Sequence, residues 1–143
     1  MKTIRNAMFE TNSSSVHTIT LGVGDYTPSR LPLDKHGTIT IYPGEFSWGP
    51  SVFTDAATKA SYALTYIKTV SKSDSELKLL EQVIRSVTGK RVKFSADGDD
   101  DVWPWGYIDH QSVHTLKPII QEKALQRFIF DPSSQLIIDN DNY

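Results

Sequence analysis

The chain has 143 residues, 38% hydrophobic and 22% charged, with a net charge of −2 and no cysteine. That length suits one domain over 1–143, and the composition is that of a globular chain, not a disordered one. The lack of cysteine excludes disulfides and thiolate zinc sites and fits a reducing compartment, and no apolar run approaches the roughly 20 residues that span a bilayer.

The charge is uneven along the chain. Residues 1–94 carry 12 Lys/Arg against 8 Asp/Glu, whereas residues 95–143 carry 3 against 9. A duplex-DNA binder needs a basic face to neutralise phosphates, so duplex DNA is not the expected partner. The acidic half suits either a basic surface of a host protein or simple solvation. The first residues, Met1-Lys2-Thr3-Ile4-Arg5-Asn6, are positive, but no apolar stretch follows them. A signal peptide is therefore not expected, and the cytosol is the expected location.

The first polar word, Glu10-Thr11-Asn12-Ser13-Ser14-Ser15-Val16-His17, leads into a strand from Val16 to Leu21. Period two puts His17, Ile19 and Leu21 on one face, which predicts that His17 faces inward. A second strand covers Thr38 to Tyr42 and ends at the Pro43-Gly44 turn. Asp55 can cap a helix over about 56–71, with Ala60, Ala63, Leu64, Ile67 and Val70 as its apolar stripe. Ser73-Asp74-Ser75-Glu76 has the pattern of a capping box, opening a helix over about 74–88 that Gly89 stops. The short connection between these helices predicts a helical hairpin.

Arg91 to Ser95 reads as a strand, and Asp97-Gly98-Asp99-Asp100-Asp101 as an acidic loop. The loop is not an EF-hand, because Val102 and Ile108 stand where glycine and glutamate are required. Pro118 fits the first turn of a third helix over about 118–128, and a last strand runs from Gln135 to Asp139. The order of elements predicts an α+β fold: an antiparallel or mixed sheet packed with the helical hairpin and the third helix.

Three polar words carry the candidate chemistry. Asn12, Ser13 and Ser15 bring amide and hydroxyl groups beside His17, a set that can bond phosphate oxygens or supply a base. Serines and asparagine in this pattern equally build turns, and His17 equally suits a satisfied core position. The second word, Asp109-His110-Gln111-Ser112, follows Trp103-Pro104-Trp105-Gly106-Tyr107, whose rings could wall a pocket or pack over the hairpin. Neighbouring Asp109 and His110 point to opposite sides of a strand, so each needs a partner from another segment. The third word, Asp139-Asn140-Asp141-Asn142, is either a frayed tail or a closure over the site.

These words predict His17, His110 and Asp109 as catalytic candidates, with Asn12, Ser13, Ser15, Gln111 and Trp105 as ligand-binding ones. The spacing predicts no dedicated metal site and identifies no cofactor. A metal-dependent hydrolase built from His17, His110 and nearby aspartates is the rival enzymatic reading. An acidic protein that covers a basic host surface is the non-enzymatic one. No Gly-rich dinucleotide loop, phosphate loop or nucleophile elbow is present.

The stretch Arg5-Asn6-Ala7-Met8-Phe9-Glu10-Thr11-Asn12-Ser13-Ser14-Ser15-Val16-His17 resembles the N-terminus of a family of small uncharacterised phage, prophage and bacterial proteins. Gly44-Glu45-Phe46-Ser47-Trp48 and Tyr107-Ile108-Asp109-His110-Gln111-Ser112 are similar to its later blocks. The resemblance implies a phage accessory protein working in host cytosol, and no particular activity. On this reading the expected ligand is a nucleotide or other phosphate-bearing molecule.

Overall fold

A computed structural model describes residues 15–46, 50–96, 103–108 and 115–140. Among these residues, three α-helices and seven strands form an α+β fold. The central sheet has three antiparallel strands, with β7 (Gln135–Asn140) between β1 (Ser15–Thr20) and β4 (Ser51–Phe53). Two parallel pairs complete the mixed arrangement: β2 (Thr38–Ile41) with β5 (Arg91–Phe94), and β3 (Glu45–Phe46) with β6 (Tyr107–Ile108). The helical hairpin is the connection that carries the chain from β2 to parallel β5, a crossover no tight turn could make.

Helix α1 (Ala56–Tyr66) starts where expected, because the Asp55 carboxylate accepts from both the amide and the hydroxyl of Thr58, at 2.9 and 2.6 Å. It runs through the middle of the core: Ala60, Ala63 and Leu64 are fully buried, and so are Lys59, Tyr62, Thr65 and Tyr66 around them. The expected span to residue 71 is filled, but Ile67–Ser71 winds as a π-helix that ends at left-handed Lys72. Hydroxyls within it compete for carbonyls, Thr65 bonding back to Ser61 and Thr69 to Thr65, which loosens the ordinary ladder.

Helix α2 (Asp74–Thr88) keeps only half of its expected capping box. Ser73 accepts from the Glu76 amide at 3.3 Å, but the Glu76 side chain does not reach back. One of its oxygens is buried without a hydrogen-bond partner among the described residues. Burial and the nearby Glu76 charge both push the Tyr66 phenol's pKa up. At the other end Gly89 takes φ 70° and its amide closes on the Arg85 carbonyl, as its position predicted. Leu80, Val83 and Ile84 form the buried stripe of α2.

The third helix departs from its expected bounds. Pro118 lies in a 3-10 turn, Lys117–Ile119, and Ile120 leaves helical geometry with ψ 73°. Extended Gln121 then begins α3 at Glu122–Phe130, four residues later than the proline suggested. Leu125, Phe128, Ile129 and Phe130 join the core.

A close backbone approach locks β3 and β6 onto α1. The Gly44 carbonyl accepts from the Tyr107 amide, while the Gly44 amide donates to the Thr65 hydroxyl, both at 3.0 Å. Gly106 sits against Gly44 with φ 82°, and a Cβ there would lie 2.2 Å from the Gly44 carbonyl oxygen.

Candidate functional site

Pairing in the central sheet sets the site's position. On its inner face His17 lies opposite Ile138, which in turn lies opposite Ser51. His17 is buried, as its strand phase predicted, with Ile138 buried beside it and Leu136 one step along. The other face carries Val16, Thr18, Ile137 and Val52, of which Val16, Thr18 and Val52 are exposed.

His17 Nδ1 is 3.0 Å from the Tyr62 hydroxyl, and the rings are 5.8 Å apart at 58°. Tyr62 is fully buried on α1, with Phe46 of β3 edge-on at 5.0 Å. Burial pushes its pKa well above the usual phenol value, an effect that a hydrogen bond from Thr115 opposes. Tyr62 therefore stays a phenol at any ordinary pH and can donate its proton. When it donates to Nδ1, the neutral imidazole carries its own proton on Nε2. The Thr115 hydroxyl also stands 3.4 Å from the His17 carbonyl oxygen, so strand, helix and loop are tied at one point.

Described flanks of all three polar words meet around this point. Ser15, which ends the first word's serine run, pairs with Asn140, and Val16 pairs with Asp139 of the third word. Thr115, on the C-terminal side of the second word, touches His17. Asn12, Ser13, Asp109, His110 and Gln111 lie outside the described residues. Trp105 is half-buried against the core with the Lys68 ammonium 4.1 Å from its ring centroid, at the end of the hairpin's first arm. No group of three His, Asp or Glu able to hold a metal ion occurs among the described residues.

A buried charged cluster escaped the reading of the sequence. Lys59 is fully buried, and its ammonium donates to the carbonyls of Asp131 and Ser134 at 2.9 Å each. Burial lowers its pKa from 10.5 to about 8, against the opposing pull of Asp131 and Asp55. Asp131, also buried, bonds Arg127 at 3.0 Å and accepts from the Ser133 amide at 2.8 Å. The Ser134 hydroxyl accepts from the Gly22 amide, and Gly22 lies so close to Asp131 that a Cβ would stand 2.3 Å from its carboxylate. The one local signal was that Lys59 shares the apolar face of Ala56, Ala60 and Ala63. These groups engage one another, so the cluster latches the turn before β7 to α1.

Two surface recesses accompany these features. One, of about 420 Å³, is mostly apolar and runs between β2 and the start of α1, past Phe46 and Phe53. The other, of about 640 Å³, follows α2 to the start of β5 and is lined by Lys78, Glu81, Gln82, Arg85, Lys90 and Arg91, with Ser86 and Gly89. No helix among the described residues is long and apolar enough to cross a membrane. Set against family models, curated proteins and solved structures, the chain has no match in any of the three.

Proposed function

We propose that the chain is a phage-type accessory protein that binds a phosphate-bearing ligand, such as a nucleotide, a signalling molecule or a nucleic-acid end. The observation that supports this reading is the meeting of the polar words' described flanks at the His17–Tyr62–Thr115 bond set. In this reading His17 is a positioning residue. Its ring is buried and bonded to Tyr62, so it holds the entry to β1 in place. Asn12, Ser13, Ser15 and Gln111 supply hydroxyl and amide groups to phosphate oxygens, and His110, oriented by a partner from another segment, acts as a general base if the ligand is cleaved. Charge on the ligand is met by dipoles and hydrogen bonds, which suits one small anion better than a long polyanion.

The test is thermal unfolding of the full chain with inorganic phosphate, adenosine monophosphate and a 5′-phosphorylated oligonucleotide, repeated for Ser13→Ala and His110→Ala. Saturating a site at about 100 times Kd stabilises the folded state by about 2.7 kcal/mol. Stabilisation of the wild type that shrinks in both variants is expected. No stabilisation by any of these probes, or an equal effect in the variants, would overturn the reading.

A further inference from the structure

The groove between α2 and β5 shares no lining residue with the site above and is lined mainly by cations. Among the described residues Lys78, Arg85, Lys90 and Arg91 line it against one acid, Glu81, in a chain whose net charge is −2. Lys93, two residues along β5 from Arg91, is exposed on the same side of the strand. The charges come from two elements and the left-handed turn between them, so a concave surface is involved, not merely the outer stripe of one helix. Its frame is rigid: α2 is capped at both ends and seated through Leu80, Val83 and Ile84.

We propose that this groove docks an extended acidic segment of a partner protein, whose Asp and Glu carboxylates pair with Arg85, Arg91 and the flanking lysines. Charge complementarity points to an anionic occupant, and the lining decides which kind. Among the described residues no aromatic side chain lines the groove to offer nucleic-acid bases a surface on which to stack. Glu81 sits inside it, 3.6 Å from Arg85, and would repel a continuous run of phosphates at every register. A peptide tolerates that carboxylate, since it can present an amide there. Gln82 and Ser86 add neutral donors and acceptors suited to a peptide backbone. Arginine's planar fork matches carboxylates two bonds at a time, so Arg85 exchanges an exposed, weak intrahelical pair for a better-aligned partner.

The experiment is fluorescence anisotropy on the full chain with a labelled peptide of alternating glutamate and glycine, and with labelled oligothymidylate of matching net charge. Each probe is titrated at low and near-physiological salt. Peptide binding that weakens with salt, and falls about tenfold or more in the double variant Arg85→Glu/Arg91→Glu, is the expected result. Lys123→Glu, on the exposed side of α3, should leave it unchanged. These positions are exposed, and an unaltered circular dichroism spectrum confirms that the variants fold. Absence of peptide binding, indifference to the double reversal, or tighter binding of oligothymidylate would each overturn the proposal, the last by giving the groove to nucleic acid.

Discussion

Replacing Lys59 with methionine tests whether the buried ammonium is held in the fold against its own desolvation. The folded pKa of about 8 lies below the ordinary 10.5, so the unfolded chain keeps this proton to higher pH than the folded one. Below about pH 8 both states are charged, and the fold carries the whole burial cost. Between that value and 10.5 the folded lysine sheds a proton that the unfolded chain retains, and stability rises with pH. At about 1.36 kcal/mol per pH unit the full window is worth about 3 kcal/mol, of which about 2 kcal/mol is gained by about pH 9.5. Methionine removes the titrating group along with the donors to the Asp131 and Ser134 carbonyls, each a loss of about 1–3 kcal/mol. At neutral pH those losses and the relieved charge burial oppose one another at similar size, so only the pH slope is decisive. Urea unfolding of both proteins at about pH 7 and about pH 9.5 should show the wild type gaining about 2 kcal/mol relative to Lys59→Met. The buried tyrosines titrate in both proteins and cancel in the difference. Parallel profiles would refute the argument.

Gly106→Ala must place a Cβ against the Gly44 carbonyl at left-handed φ, and is expected to destabilise by about 3 kcal/mol or more, whereas Gly89→Ala meets open space and should cost about 1–2 kcal/mol. Equal losses in chemical denaturation would show that β6 yields easily. Tyr62→Phe removes the hydroxyl that His17 and Thr115 share and should cost about 1–3 kcal/mol. A double-mutant cycle with His17→Phe is expected to give a coupling above about 0.5 kcal/mol, and a coupling near zero would mean that the bond does not hold β1 to α1.

The parts of this fold legible in the sequence are those whose signal is local. Asp55 and Gly89 announce helix ends by their own chemistry, and the alternation from Val16 onward tells which way His17 faces. Strands β3, β4 and β6 have only two or three residues, too few for a period to show. Pro118 misled because a proline suits a 3-10 turn as well as the first turn of an α-helix. The partners of buried polar groups were hidden for another reason. His17 meets Tyr62 45 residues away, and Lys59 meets Asp131 and Ser134 at separations of 72 and 75. No local pattern encodes such pairs, so the polar words marked where chemistry could lie without showing what His17 would touch.

The central place of β7 has a consequence for how the chain is made. Among the described strands, β1 and β4 enter their sheet only by pairing with β7, which comes last in the chain. A ribosome delivers β1 and β4 long before their common partner, so neither sheet bond can close until residues 135–140 have emerged. Closing so long a loop is slow, and in the interval two strand edges and the apolar side chains beneath them stay open to wrong partners. Synthesis that stopped short of residue 135 would therefore release unpaired strands instead of a smaller version of the fold.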